Sequence, residues 1–400
     1  MTDQTAAAAS ERLHALDLVR AAALLLGIVF HAALPFMADY DLWLALDQER
    51  SRPVTWLAFT LHTFRMTTFF LLAGYFGRLL LVRRGTRGFV SDRARRILLP
   101  LLIFWLPVMI LYVLALILAA SLGATPVTDE PAPPPEFTLT GFPLTHLWFL
   151  YVLVLLYAAA LILRTLVAAI DRTETMRKAA DRALEVALRV PFALPLLLTV
   201  AVAALLLGQP AWAEWWGIPT PDRGFLPNRA ALGGFGLAFG LGWLVHRSKL
   251  GFMPLSRLWA PYLIAALALT VSCLWLIGPP MFEPQLAGQE RLIFAGLYAA
   301  AAWCWTLGLV GAALRFIRHE SPVIRYLADS SYWLYIVHLP LLVALEALVA
   351  HWPVPAELKL LLIVAVASGL MLVSYHYLVR ATFIGTLLNG RRYPRKGGTA

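Results

Sequence analysis

The stretch LDLVRAAALLLGIVFHAALPF, residues 16–36, decides the fold class of this chain. At about 1.5 Å of rise per residue, a helix of this length crosses the hydrocarbon core of a bilayer. Its ionisable side chains are Asp17, Arg20 and His31, and helical spacing places all three on one face. Because Arg20 and His31 are about 16 Å apart along the helix axis, that face carries polar groups at two membrane depths.

The composition indicates a polytopic membrane protein and excludes an ordinary soluble domain. Of the 400 residues, 60% are hydrophobic and 14% are charged, whereas about a quarter of the residues in soluble domains are charged. Cys273 and Cys304 both lie in apolar runs, which argues against a disulfide framework or a thiolate metal site. We therefore expect no metal cofactor.

Ten apolar stretches predict an all-α membrane bundle of about ten transmembrane helices. Of the lysines and arginines that flank them, 23 lie in the N-terminal arm, alternate connections and tail, and 4 lie in the other connections. The positive-inside rule then places both termini in the cytoplasm, and a charge distributed in this way argues against nucleic-acid binding. We divide the chain into a cytoplasmic arm (1–15), one transmembrane domain (16–380) and a basic cytoplasmic tail (381–400). The apolar stretches are approximately 16–38, 54–82, 97–122, 146–170, 190–208, 230–246, 258–278, 291–314, 331–350 and 358–379.

Histidine and arginine side chains within the first two spans are the best candidates for a site. A charged group at membrane depth is costly unless it is paired, and it marks a site by default. Arg65 is expected about 16 Å inside the second span, and His62 shares its helical face. His31 reaches a comparable depth from the other direction. We therefore predict a cluster of His31, His62 and Arg65, although His62 could equally serve helix packing.

Later spans contribute further candidates with alternative structural roles. His146 and Trp148 open the fourth span at its outer boundary, where they would suit either a binding site or an interfacial belt. Tyr335, His338 and Glu346 share a face of the ninth span, with His338 expected about 10 Å from the cytoplasm. Glu346 is more typical of a local pair than of a functional group. The candidate substrate-binding residues are Asp17, His62, His146, Trp148, Tyr335 and His338.

Three further segments have sequence patterns that each predict a particular role. The run RRGTRGFVSDRARR at 83–96 either fixes topology and contacts anionic lipid or binds phosphate, which arginine recognises by paired hydrogen bonds. Residues 171–189 are typical of an amphipathic surface helix. The sequence GGFGLAFGLG at 233–242 indicates close helix packing through small residues rather than nucleotide binding.

Five segments, taken in order, carry a resemblance to a known family. Together they resemble acyltransferase family 3 of integral membrane O-acyltransferases, and within it the glucan biosynthesis protein C branch. The segments are Arg20-x10-His31, FRMTTFFLLAGYF at 64–76, RARRILLP at 93–100, HLWFLY at 146–151 and YWLYIVHLP at 332–340.

The resemblance implies transfer of an acyl group from cytoplasmic acyl-CoA, such as succinyl-CoA or acetyl-CoA, across a bacterial inner membrane. The acceptor would be a hydroxyl of a carbohydrate or glycolipid, and the glucan branch implies succinyl transfer to periplasmic glucans. His31 is the candidate base because histidine titrates near neutral pH. The resemblance makes Arg20 its partner, which would orient the acyl donor, and Arg65 would stabilise the oxyanion or pair with a succinyl carboxylate. Candidates for the CoA phosphates are Arg93, Arg95 and Arg96.

Two other classes of protein are open on the sequence. A secondary transporter or glycan flippase could use His and Arg near the midplane to bind substrate or protons. Against this reading, the chain has no repeat that pairs its two halves and no Gly/Pro-broken helices in matching positions. A non-catalytic scaffold would leave the buried His and Arg without purpose.

Overall fold

The computed structural model describes residues 2–126, 137–209, 211–282, 286–390 and 393, with side chains from His14 onward. Within these ranges the chain is helical, and two isolated β-bridges are the only strand-like pairs. Positions 391, 392 and 394–400 of the predicted tail lie outside the described residues. The helices are α1 (Thr2–Ala33), α2 (Arg52–Arg93), α3 (Leu99–Ser121), α4 (Trp148–Ile170), α5 (Thr175–Arg189), α6 (Ala193–Leu207), α7 (Arg229–Arg247), α8 (Leu255–Ile277), α9 (Gly288–Phe316), α10 (Pro322–Val349), α11 (Ala356–Ser374) and α12 (Phe383–Asn389).

The predicted all-α polytopic membrane bundle is confirmed. Each of the ten predicted apolar stretches coincides with a helix. By length and composition, seven helical runs of the described chain could cross a membrane, and the bent pair α5–α6 would make eight. One of these runs, Arg52–Ser121, contains two of the predicted spans, whereas α7 is not among the seven. The number ten and the cytoplasmic placement of both termini stay predictions.

Helix α1 lies at the centre of the bundle and contacts α2, α9, α10 and α11. It begins at Thr2, so residues 2–15 of the predicted arm 1–15 form one continuous helix with the first span. Helix α2 extends past its predicted span, through a break at Gly85 with φ +66°, and ends at Arg93. The arginine run at 83–96 is therefore held on a helical backbone.

Helices α2 and α7 approach each other closely because glycines face one another across their interface. A Cβ on Gly74 would lie 1.9 Å from the carbonyl oxygen of Phe239, and one on Gly242 would lie 1.8 Å from that of Leu71. No side chain fits at either position. The prediction that residues 233–242 serve helix packing is thus confirmed.

The predicted amphipathic helix at 171–189 is present as α5. Its buried residues are Leu184, Ala187 and Leu188, and the chain turns by 110° from α5 into α6. Arg247 Nε lies 2.8 Å from a carboxylate oxygen of Asp181, which fixes α5 against the end of α7.

The loop between α1 and α2, residues 34–51, is fastened to α11 by a buried ion pair and by a hydrogen bond. Lys359 Nζ lies 2.7 Å from Asp47 Oδ1, and the two side chains are 0% and 1% exposed. Ser51 Oγ donates a hydrogen bond to Glu357 Oε1. These contacts hold the loop in a fixed position over the bundle end.

Replacing Asp47 with asparagine is expected to destabilise the protein by about 3–5 kcal/mol, because the Lys359 ammonium would stay buried without its counter-charge. The measurement is thermal unfolding of the detergent-purified protein. Asp41→Asn is the matched control, because Asp41 pairs with Arg50 but is 79% exposed and should contribute about 0–1 kcal/mol. Equal shifts in the two variants would contradict the prediction.

Candidate active site

A cavity of about 870 Å³ opens at the end of the bundle that carries residues 34–51, 137–147 and 209–228. We call this the histidine end. Five of the predicted site residues, from α1, α2, the turn before α4 and its first residue, contribute to the cavity wall. They are His31, His62, Arg65, His146 and Trp148.

His31, His62 and Arg65 lie close together, as their predicted depths require. The Arg65 guanidinium carbon is 4.1 Å from the centre of the Phe30 ring. That ring contacts His62 at 5.0 Å and His31 at 5.2 Å between centroids. A Cβ on Gly27 would lie 2.9 Å from an Arg65 nitrogen, so the glycine leaves room for the guanidinium.

Arg65 is a buried cation without an acidic partner among the described residues. The residue is 7% exposed, and its Nε is buried with no hydrogen-bond acceptor in that part of the chain. Burial of an unpaired charge is costly, and such groups are usually paired with an ion or a ligand. The geometry therefore suits Arg65 to bind an anion or a developing negative charge within the cavity.

Three histidines around the cavity each have a ring nitrogen against a backbone carbonyl oxygen. The pairs are His62 Nε2 with Trp216 at 2.8 Å, His146 Nε2 with Ile336 at 3.0 Å, and His338 Nδ1 with Tyr335 at 2.6 Å. A carbonyl oxygen only accepts, so each of these nitrogens carries the hydrogen. In the neutral ring the other nitrogen is an acceptor, and all three of these acceptors are buried without a partner in the described chain.

The contact between His146 and Ile336 follows from a proline in α10. Pro340 has no N–H, so it cannot donate the helical hydrogen bond to the carbonyl of Ile336 four residues earlier. His146 donates to that carbonyl instead. The proline therefore creates the acceptor that orients His146 toward α10.

His338 lies at the histidine end, and its predicted position near the cytoplasmic boundary is wrong. Its ring centre is 5.2 Å from that of His31 and 4.8 Å from that of His146. Helix α10 begins at Pro322, well before the predicted start of the span, so depth counted from residue 331 was too shallow. Tyr335 lies behind this cluster and donates a hydrogen bond of 2.6 Å to the backbone oxygen of His146.

The rim of the cavity carries an acidic residue from the loop 209–228. The backbone amides of Leu144 and Thr145 both donate to the carbonyl oxygen of Asp222 at 3.0 Å, which joins two of the rim loops. Burial raises the pKa of the Asp222 carboxyl above its usual range. Burial, together with the nearby Asp222, also raises the pKa of Tyr40 to about 12, so Tyr40 presents a hydroxyl donor at neutral pH.

Asp17 and Arg20 do not join the histidines, although they share a helix with His31. Arg20 forms an ion pair of 2.9 Å with Asp17, and the side chains are 36% and 38% exposed. The guanidinium of Arg20 lies 5.0 Å from the Phe76 ring centre. With about 16 Å of helix axis between Arg20 and His31, these two residues belong to the opposite end of the bundle, which we call the arginine end.

At the arginine end, several arginines converge on the buried carboxylate of Asp92. The distances are 2.6 Å to Arg93, 2.9 Å to Arg84 and 3.4 Å to Arg96, and Asp92 is 7% exposed. Arg95 is exposed. The candidate phosphate-binding arginines therefore divide into two that are oriented by a shared acid and one that projects freely.

A layer of aromatic rings lies beside the histidine cluster on the side of the arginine end. Phe69, one turn after Arg65, contacts Phe149 at 4.4 Å, and Phe149 contacts Tyr335 at 5.5 Å between ring centres.

A family model described as an acyltransferase domain matches residues 13–378. The chain belongs to this acyltransferase family. The predicted family is thus confirmed, and a multi-pass membrane acyltransferase agrees with the helical bundle.

Curated relatives match a smaller part of the chain. Glucans biosynthesis protein C from Escherichia coli strain SMS-3-5 / SECEC is 31% identical over 151 residues, which is 37% of this chain and 37% of the relative. The protein of the same name from strain K12 matches with the same identity and coverage. The alignments therefore span little more than a third of these relatives, and no solved structure matches the chain.

Sequence reasoning missed or undervalued three residues of this acyltransferase. Trp43 lines the cavity and stacks on His31 with ring centres 6.0 Å apart. It donates from Nε1 to Glu346 Oε2 at 2.8 Å, so the predicted local pairing of Glu346 is in fact a contact with a distant loop. Asp92 was counted as part of a basic run. The one signal for it was an acid among six arginines.

Among the described residues, no group of three or more His, Cys, Asp or Glu side chains has a geometry that could hold a metal ion. This finding includes the four clustered histidines. In three of them, one ring nitrogen donates a hydrogen bond to a backbone carbonyl oxygen.

Proposed function

We propose that this acyltransferase moves an acyl group from acyl-CoA to a hydroxyl group of a carbohydrate at the histidine end. The observation that carries the proposal is the buried Arg65 guanidinium, which has no acidic partner among the described residues and lies beside His31 in an open cavity. A cation and a base side by side meet the two needs of acyl transfer, which are oxyanion stabilisation and proton removal.

In the proposed reaction, His31 removes the proton from the acceptor hydroxyl as its oxygen attacks the thioester carbonyl carbon. The new C–O bond forms and a negative charge develops on the carbonyl oxygen, where Arg65 would stabilise it. The C–S bond then breaks, and the CoA thiolate takes the proton that His31 had accepted. If the acyl group is succinyl, Arg65 could instead bind its free carboxylate.

The arginine end suits the CoA phosphates. Arg93 and Arg96 are held by Asp92 in one cluster, and the exposed Arg95 lies next to them. Phosphate oxygens would compete with Asp92 for these guanidinium groups. Arg20 lies at the same end, where it could orient the donor. We expect the acyl arm of succinyl-CoA or acetyl-CoA to displace rings of the layer around Phe69 when it reaches His31.

The distribution of basic residues supports an orientation in a bacterial inner membrane. Connections at the arginine end are rich in lysine and arginine, which the positive-inside rule assigns to the cytoplasm. Both termini would then be cytoplasmic, and the histidine end would open to the periplasm. The donor and the acceptor would approach from opposite sides.

The names of the curated relatives support a glucan as the acceptor. The cavity offers the groups that a sugar needs, because indole and phenol rings provide flat apolar faces, and His62 and His146 in its wall provide acceptors for hydroxyl groups. Asp17 is paired with Arg20 at the arginine end and does not line the cavity, so it lies apart from the proposed acceptor site.

The decisive experiment is incubation of the purified protein, in lipid nanodiscs, with acyl-labelled succinyl-CoA or acetyl-CoA and a gluco-oligosaccharide. We expect labelled oligosaccharide and an equal amount of released CoA. A protein that moves the oligosaccharide across a vesicle membrane and releases no CoA would instead be a transporter, which would overturn the proposal.

A further inference from the structure

Two tryptophans flank the mouth of the cavity where His31 and His62 lie. The Trp43 ring is nearly parallel to that of His31, with an interplanar angle of 23°. On the other side, the Trp216 ring meets His62 edge-on at 5.4 Å. Both indoles are half-buried and line the cavity, so each presents part of its surface to a ligand.

Trp148, the predicted stacking residue, has less free surface. It is 6% exposed, and its ring is stacked on Phe235 with centres 5.5 Å apart. A sugar ring requires an open indole face, because its C–H groups pack flat against the aromatic surface. Trp43 meets this requirement better than Trp148 does.

We infer that Trp43 is the stacking surface of the acceptor-sugar subsite and that Glu346 is the residue that positions it. This inference rests on the proposed function for the identity of the acceptor. A sugar packed on Trp43 would lie over the rim of the cavity, beside the ring of His31 that is proposed to remove its proton.

Glu346 holds Trp43 from the last turn of α10. Its Oε2 accepts the indole hydrogen at 2.8 Å, whereas Oε1 is buried without a partner in the described chain. The residue is 2% exposed. Burial of a carboxyl group costs free energy of folding. The hydrogen bond from the Trp43 indole offsets part of that cost.

The loop that carries Trp43 is itself held in place. Residues 34–51 are fastened by Asp47 to Lys359 and by Arg50 Nη1 to the carbonyl oxygen of Tyr40 at 2.7 Å. Since Tyr40 and Asp47 are held on either side of Trp43, loss of the Glu346 contact would release the indole ring while the loop backbone stays in place.

The first test measures binding of a linear gluco-oligosaccharide to the full-length protein in nanodiscs by calorimetry. We expect Trp43→Ala to weaken binding roughly tenfold or more, and Trp43→Phe to weaken it less, because a ring is retained. Trp275→Ala is the matched control, because Trp275 is 82% exposed on the outer face of α8. Unchanged binding by Trp43→Ala would overturn the subsite.

The second test separates positioning from mere stability. Glu346→Gln retains an oxygen that accepts from the indole, so it should bind the oligosaccharide like the wild type. Glu346→Leu fills similar space without an acceptor and should match Trp43→Ala. In the acyl-transfer assay the leucine variant should raise the acceptor KM, with a smaller effect on kcat, whereas the glutamine variant should leave the acceptor KM unchanged. Equal binding by the two Glu346 variants would overturn the positioning role.

These readouts distinguish the subsite from the proposed function. If the wild type binds the oligosaccharide in a Trp43-dependent manner but transfers no acyl group, the subsite stands and the acyl-transfer proposal fails. If acyl transfer occurs with an acceptor KM that is the same in Trp43→Ala, the proposed function stands and the subsite fails.

Discussion

Replacing His31 with alanine is expected to lower the rate of acyl transfer by roughly 10²–10⁴-fold, the range typical of a lost general base. His31 lines the cavity, and its ring lies between Trp43 and His338, at 6.0 Å and 5.2 Å between centres. Among the clustered histidines it is the one whose ring is not directed at a backbone carbonyl by the hydrogen bonds described above. It is therefore the ring best placed to exchange a proton with substrate.

The measurement is transfer of labelled acyl groups to a gluco-oligosaccharide by purified variants that elute as the wild type does in size exclusion. His319→Ala is the matched control, because His319 is exposed in the connection between α9 and α10. His31→Ala should retain oligosaccharide binding, since the stacking surface is proposed to be Trp43. A folded His31→Ala protein with normal transfer would exclude His31 as the base.

The helical spacing of the first two spans was sufficient to predict the core of the site. The depth of His31 and of Arg65 can be calculated from the number of residues between each of them and the start of its apolar run. Helices α1 and α2 are neighbours in the bundle. Depth along one helix can then be compared with depth along the other. This is why the cluster of His31, His62 and Arg65 follows from the sequence.

Other parts of the site depend on information that a local pattern does not contain. The face of His338 was predicted, but its depth was wrong because hydropathy does not fix where α10 begins. Trp43 lies in a loop, and its indole is held by a hydrogen bond to Glu346, 303 residues further along the chain. Likewise, Asp92 becomes a shared partner for arginines only once the backbone of 83–96 is known to be helical.

Pro340 is a feature of the sequence from which one contact of the site can be predicted. A proline within a helix leaves the carbonyl four residues earlier without its backbone donor. The sequence therefore predicts a free acceptor at Ile336, and a buried polar side chain elsewhere has to satisfy it. In the structure His146 donates the hydrogen bond to this carbonyl, which places the start of α4 beside α10.

Replacing Arg65 with lysine is expected to reduce the rate of acyl transfer by roughly 10²–10³-fold, although the positive charge is kept. The guanidinium is planar, presents several donors in a fixed geometry and lies over the Phe30 ring at 4.1 Å. Lysine offers a single flexible ammonium that cannot reproduce both the stacking and the paired hydrogen bonds. The turnover number should fall, whereas binding of the oligosaccharide should be retained. Arg172→Lys, at an exposed position after α4, is the matched control.

A second variant tests the same geometry without altering the arginine. Gly27→Ala adds a methyl group that would lie 2.9 Å from an Arg65 nitrogen, so the guanidinium has to shift. Because even a small displacement of a catalytic group lowers the rate, Gly27→Ala should lose activity in the same direction as Arg65→Lys but to a smaller extent. Gly296→Ala is its control, since nothing lies within 4 Å of a Cβ at that position. Full activity in both Arg65→Lys and Gly27→Ala would show that the position of the buried cation does not matter, and oxyanion stabilisation by Arg65 would then be excluded.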